Sequence, residues 1–140
     1  MKDKVFFDTN ILFYAFSTQE MLKQQLSLNL LSQVMKKGTG WISVQVLNEL
    51  YVNFLKKAPL LPAAEAQQLI YRISLSLNVI SMTTTVIYEA FQIQNRYQIA
   101  FWDSLIVASA LLARCTTLFT EDIQHNQLFD TVKVVNPFVQ

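Results

Sequence analysis

The sequence predicts an α/β fold in which a parallel sheet of four to five strands is covered on both faces by helices. Three observations lead there. Short strand-type runs alternate with longer helical stretches, those runs are almost continuously apolar, and no tight hairpin signal joins one strand to the next. With 140 residues, 52% of them hydrophobic and 15% charged, the chain has enough apolar surface for a substantial core in one domain, 1–140. Only two glycines and three prolines interrupt it, so long helices with short connections are expected, without repeats or low-complexity linkers.

The first strand is expected at about 4–8, where Val5, Phe6 and Phe7 form a buried-type run. A helix from roughly Gln19 to Met35 follows, with Leu22, Leu26, Leu30 and Val34 at helical spacing and Lys36, Lys37 and Gly38 as its stop. Trp41 to Ser43 is the second strand. From Val44 to Lys57 the residues Val44, Leu47, Tyr51, Phe54 and Leu55 share one helical face, and Pro59 lies beyond its end. Pro62 opens another helix that runs to about Leu75. "NVISM" is the third strand, Thr83 or Thr84 caps a helix to about Tyr97, and an almost wholly apolar helix spans Trp102 to Arg114. "TTLFT" and "TVKVVN" complete the sheet.

Composition removes several function classes. A formal charge of +1 gives no broad electrostatic footprint for nucleic acid or an anionic membrane, so a polyanion would have to meet a local patch. The single cysteine, Cys115, allows neither an internal disulfide nor a cysteine zinc cluster; it suits a reducing cytoplasm and, in apolar company, a structural role. One histidine, His125, leaves little room for Ser/His/Asp chemistry. The amino-terminal apolar run is short, broken by Asp8 and Asn10, and lacks a cleavage pattern, so a signal peptide is not expected. "IAFWDSLIVASALLA" falls short of the roughly 18 residues a membrane span needs and contains an aspartate, which predicts a soluble protein with no membrane partner.

The acidic residues carry the chemistry. Asp8 follows the first strand, Glu121 and Asp122 follow "TTLFT", and Asp103 is the only charge between Arg96 and Arg114, at the start of the apolar helix. Glu49 lies about one turn into a helix that itself follows a strand. Each alone fits an ordinary role: a cap or turn for Asp8, Asp103 and the Glu121–Asp122 pair, a solvated face for Glu49. Together they can reach one edge of a parallel sheet, the edge where ligands of such folds collect. Two like charges about 5 Å apart repel by roughly 3 kcal/mol at an effective dielectric near 20, so such a cluster calls for compensation. A hard divalent cation, magnesium or manganese, binds carboxylate and water oxygens and needs neither histidine nor cysteine.

"FFDTNILFYAF", "SVQVLNELY", "FWDSLIVASAL" and "LFTEDIQHNQ" resemble, in order and approximate spacing, the four acidic motifs of the PIN-domain nucleases, and the similarity extends over essentially the whole chain. The short single-domain form resembles the VapC-like toxins of toxin–antitoxin pairs. This resemblance implies a PIN-like three-layer α/β/α sandwich, Mg2+- or Mn2+-dependent hydrolysis of RNA phosphodiesters, and inhibition by a small antitoxin protein. It places Asp8, Glu49, Asp103 and Asp122 at the catalytic and metal-binding positions, with Thr9 and Asn10 orienting the first aspartate. Glu121 stands beside Asp122 as the other candidate for the fourth acid, and the family pattern favours Asp122.

A haloacid-dehalogenase-like phosphatase would need a second aspartate where Asn10 stands, and Asp3 lies too early for a receiver domain's acidic pair. The stronger alternative is a catalytically inactive PIN-like module that binds RNA or a protein. Backbone contacts to RNA can come from Lys23, Lys36, Lys37, Lys56, Lys57, Arg72, Arg96 or Arg114, and stacking from Tyr14, Tyr51, Tyr97 or Trp102. Apolar helix surfaces around Met21–Val34 and Tyr51–Leu61 are expected to take a partner helix or a second copy, giving a homodimer.

Overall fold

The computed structural model describes residues 3–139. Its elements are β1 (Val5–Phe7), α1 (Thr9–Ala15), α2 (Met21–Lys37), β2 (Gly40–Ser43), α3 (Val44–Lys56), α4 (Ala63–Ser76), β3 (Asn78–Ile80), α5 (Thr84–Tyr97), α6 (Phe101–Leu112), β4 (Thr117–Phe119), β5 (Leu128–Phe129) and β6 (Val132–Val135). The strands form one sheet in the order β3-β2-β1-β4-β6-β5. All five expected strands are present and mutually parallel. Phe6, Phe7, Ile42, Leu118 and Val134 are fully buried in the sheet layer. Helices supply the rest of the core, including Ile11 and Leu12 from α1, Val46 and Leu50 from α3 and Val107 from α6.

Two elements are additional to those expected. Helix α1 begins directly after Asp8, whose side chain accepts a hydrogen bond from the Thr9 amide. Its seven residues are too few for a convincing helical period, and tertiary burial of Ile11, Leu12 and Ala15 holds it. Strand β5 pairs antiparallel with β6 through a two-residue connection, Asp130-Thr131. That hairpin lacks the Asn-Gly or Asp-Gly signature: Asp130 itself adopts φ 53°. Arg96 Nη1 and the Tyr97 hydroxyl donate to its carboxylate at 2.7 and 2.9 Å, and its own N–H donates back to the Tyr97 oxygen at 3.0 Å.

Local signals explain most boundaries. Gly38 ends α2 in the left-handed region at φ 69°, after Lys36 and Lys37 in the last turn. Ser43 caps α3 by accepting from the Val46 amide at 3.2 Å. Gly40 opens β2 where a Cβ would meet Leu77 Cδ2 at 2.7 Å and Val34 Cγ1 at 2.9 Å, so α2 and the end of α4 pack directly on its backbone.

Strand order positions the site. From β1 the chain moves to one side through β2 and β3, then returns to the other side through β4 and β6. The switch lies between β1 and β4, where a crevice opens beyond the carboxyl ends of the strands.

Candidate active site

Asp8, Glu49 and Asp122 reach this crevice by different routes, and Asp103 lies at the same edge of the sheet. Asp8 is the residue after β1, Asp122 lies three residues past β4, and Glu49 sits in the second turn of α3, directly after β2. Helix α6 ends four residues before β4 begins, so its other end, with Asp103 in the first turn, lies at the carboxyl edge of the sheet. Asp103 makes no capping hydrogen bond, and Ala100 occupies the cap position.

Asp8 combines two roles that stood as alternatives in the sequence, because it caps α1 and also belongs to the cluster. Only 5% exposed, it accepts from the Thr9 amide on Oδ1 and from the Thr120 hydroxyl on Oδ2, both at 2.7 Å. Those bonds favour the charged form, yet burial outweighs them and, with the negative charges of Asp122 and Glu49, pushes the carboxyl up to about 7. Burial and the same two neighbours also raise Asp103. Asp8 and Asp103 are thus each raised first by burial and then by the same two carboxylates, Asp122 and Glu49.

Each remaining carboxylate is held in place. Glu49 accepts from the Thr9 hydroxyl at 2.8 Å and from Gln45 Nε2 at 2.9 Å. Asn10 Nδ2 donates to Asp122 at 2.9 Å, and Asn10 Oδ1 receives the Glu121 amide at 3.4 Å. Thr9 thus touches Asp8 only through its backbone and directs its side chain to Glu49, while Asn10 orients the carboxyl-terminal acids instead of Asp8. Glu121 turns elsewhere: it accepts from the Tyr14 hydroxyl and from Lys23 Nζ, the latter at 2.9 Å. That contact holds Lys23 above its ordinary range, while burial and then the Glu121 bond raise Tyr14. Asp8, Glu49, Asp122 and Glu121 all line one cleft, Glu121 at its rim with Tyr14 and Lys23; Asp103 is not among the lining residues, and the charges of Asp122 and Glu49 raise it.

Thr120 and Gln45 were not foreseen. The fully buried Thr120 links the two strand ends: besides donating to Asp8, it accepts from the Asp122 amide at 3.1 Å and from Asn10 at 3.3 Å. Its only trace in the sequence is a hydroxyl ending the apolar run "TTLFT", just before two acids. Gln45 carries a weaker signal, a polar side chain one turn before Glu49.

A cleft of about 480 Å³ opens over this network, lined among others by Asp8, Asn10, Tyr14, Glu49, Lys57 and Asp122. Of the other basic and aromatic candidates, Arg96 and Tyr97 are engaged with Asp130 and the Tyr51 hydroxyl accepts from Gln67, whereas Trp102 is 66% exposed beside Asp103. His125 is not part of the cluster and accepts the Asn136 amide at 3.0 Å. The donor set is therefore all oxygen, which suits a hard divalent cation. Among the described residues, however, no three His, Cys, Asp or Glu side chains converge at ligand spacing. An ion fits here if one or two carboxylates hold it directly and water completes its shell, as magnesium commonly requires.

The PIN domain family model matches residues 5–129. The chain belongs to the PIN domain family. Its neighbours among solved structures are consistent with that membership. A toxin–antitoxin complex from Klebsiella pneumoniae is 21% identical with a TM-score of 0.70, covering 96% of this chain and 98% of the other. VapC20 of Mycobacterium tuberculosis, described as a sarcin-ricin loop cleaving toxin, is 15% identical with a TM-score of 0.66 over 82% of this PIN domain and 87% of its own chain. VapBC2 of Rickettsia felis, bound to a promoter DNA fragment, is 21% identical with a TM-score of 0.68 and coverage of 93% and 96%. A search of curated proteins found no significant match to the sequence. No helix among the described residues of this PIN domain is long and apolar enough to cross a membrane.

Proposed function

We propose that this PIN domain is a divalent-metal-dependent endoribonuclease and the toxin of a cytoplasmic toxin–antitoxin pair. The observation that carries the reading is that Asp8, Glu49 and Asp122, from separate chain regions, line one cleft, with Asp8 buried and its carboxyl raised by burial and by the other two, whose charges also raise Asp103. A structure gains nothing in stability from such repulsion, and bound Mg2+ or Mn2+ would relieve it. When bound, the ion supplies neutralisation of phosphate charge and polarisation of water. The chain's part is to hold it through Asp8 and Asp103, directly or through water. Glu49, aimed by Thr9 and Gln45, and Asp122, aimed by Asn10, orient the attacking water and take its proton.

The partners follow from the same reading. The substrate is RNA, and a small antitoxin occupies the protein when it is silent, as the toxin–antitoxin composition of two structural neighbours suggests. A homodimer is expected: Met21, Leu22 and Leu28 on α2, and Leu60 beyond α3, are exposed and open to a partner helix or a second copy. Light scattering that shows only monomer at micromolar concentration removes the homodimer. If the product of the neighbouring reading frame neither binds the protein nor relieves toxicity, the antitoxin assignment falls.

The test of activity is a titration of Mg2+ and Mn2+ against mixed cellular RNA, with EDTA and Asp103→Asn as controls. Metal-dependent products from the wild type that vanish in both controls are expected. The absence of a ligand-tight acidic triad among the described residues favours one alternative, a catalytically inactive PIN-like module that binds RNA or protein. RNA binding with no product at any metal concentration would establish that alternative.

A further inference from the structure

Helix α3 connects three adjoining depressions. At its amino end Val44, Gln45, Asn48 and Glu49 form one wall of an apolar pocket of about 400 Å³, opposite Phe101 and Trp102. Asn48, Glu49, Val52 and Asn53 line a depression at its centre. Glu49, Asn53 and Lys57 then line the acidic cleft. Gln45, Glu49 and Asn53 follow one another four residues apart along α3, and Lys57 is the extended residue that caps its end, so the row winds partly round the helix over about 18 Å at ~1.5 Å per residue. Chemistry changes along it from an aromatic and amide-lined pocket, through the candidate catalytic Glu49, to a single cation.

Resting on the nuclease reading above, we propose that the pocket beside Glu49 seats one unpaired base of the substrate RNA against Trp102, with the strand running along α3 and its phosphate backbone held by Lys57. Three features choose a base over other occupants. Trp102 presents an indole that is 66% exposed and meets the edge of Phe101 with centroids 5.7 Å apart at 64°, and an exposed indole of this kind is a surface on which a base of single-stranded nucleic acid can stack. Asn48 and Gln45 add amides to the pocket wall. Gln45 is 92% buried, its Nε2 is committed to Glu49, and its Oε1 is itself buried without a hydrogen-bond partner, an acceptor that an amino or imino N–H of a base would satisfy once the side chain turns it into the pocket.

The other end is suited to phosphate. Among the described residues, Lys57 is the one basic residue lining the cleft; its ammonium lies 5.7 Å from the Phe13 ring, and it takes part in none of the ion pairs seen among them. Lys23, by contrast, is bound to Glu121 on the rim. The shared wall at Glu49 places a seated base next to the phosphodiester that the acids would face.

The experiment measures anisotropy of a labelled, unstructured oligoribonucleotide with the Asp8→Asn protein in EDTA, where cleavage does not interfere. Trp102→Ala is expected to weaken binding about tenfold or more, the scale of losing one stacked base, while Trp102→Phe retains most of it. Lys57→Met should reduce the slope of log affinity against log salt by about 0.7, one phosphate contact on a single strand. Light scattering on each variant should give the wild-type mass, and thermal melts should show it folded. Unchanged affinity in Trp102→Ala overturns the base subsite, and so does a loss of affinity accompanied by conversion of a dimer to monomer, which assigns the pocket to a second copy. An unchanged salt slope in Lys57→Met removes the phosphate end. Because binding is read without cleavage, a wild type that binds in this way yet never cuts RNA refutes the nuclease reading and leaves the subsite standing.

Discussion

Replacing Asp8 by asparagine separates the electrostatic role of this residue from its capping role. In the unfolded chain its carboxyl titrates near 4, whereas in the native protein burial and the charges of Asp122 and Glu49 hold it at about 7. Between those values the native state keeps a proton that the unfolded state has released. The stability contributed by this group is complete below about pH 4 and is lost as pH rises through 7. About three pH units at roughly 1.4 kcal/mol each put the loss near 4 kcal/mol. Asparagine carries no such titration and caps a helix about as well as aspartate. Its amide cannot accept the Thr120 hydroxyl bond at Oδ2, which costs about 1 kcal/mol. Asp8→Asn should therefore be about 1 kcal/mol less stable than wild type at pH 4 and about 3 kcal/mol more stable at pH 8, a shift in Tm of about 10 °C for a chain of this size. Calorimetry in EDTA from pH 4 to 8 gives both curves. Identical pH dependence in the two proteins would refute the reasoning, because it would mean that Asp8 is not held in a desolvated, like-charged site. Added Mg2+ at pH 8 should stabilise the wild type by about 2.7 kcal/mol at a hundredfold excess over its Kd and Asp8→Asn by much less, while RNA cleavage by the variant falls by orders of magnitude.

Other substitutions address the supports of the site. Thr9→Val removes the hydroxyl that aims Glu49 and should lower cleavage about ten- to hundredfold while changing the melting transition little, as steady-state assays beside melts will show. Thr120→Val leaves the Asp122 amide without its acceptor and Asp8 without a donor, so it should cost about 1–3 kcal/mol and move the Asp8 inflection in the stability curve to higher pH. Gly40→Ala places a methyl against Leu77 and Val34 and should destabilise by about 1–3 kcal/mol in urea unfolding, with the metal dependence of cleavage unchanged. Burial pushes the Cys115 thiol up to about 12, so Cys115→Ser should still cut RNA, and a thiol reagent at pH 8 should modify the wild type only on unfolding.

The parallel α/β core was legible because its signals are local. Buried parallel strands read as apolar runs such as "VFF" and "TLF", helices as spaced apolar faces, and stops such as Gly38 as a backbone need that few residues meet. Positions at strand ends and at the start of an apolar helix likewise made Asp8, Asp103 and Asp122 conspicuous, with Glu49 one turn into α3. Strand β5 escaped because two residues carry no period and Asp130 supplies a left-handed turn position without glycine, supported by Arg96 and Tyr97 from a distant helix.

What the sequence by itself determined was which kinds of group meet at the sheet edge. Tertiary structure decided how each one is held. Asp122 and Glu121 are adjacent and chemically similar, and nothing local separates them; the distinction comes from Asn10, 112 residues from Asp122, and from Lys23, 98 residues from Glu121. Thr120 reads as the last residue of a strand until its hydroxyl reaches Asp8 across the switch point, 112 residues away. Periodicity reports which face a side chain takes within its own element, whereas a hydrogen bond depends on the separation and direction of two atoms whose elements are placed by the packing of the whole core.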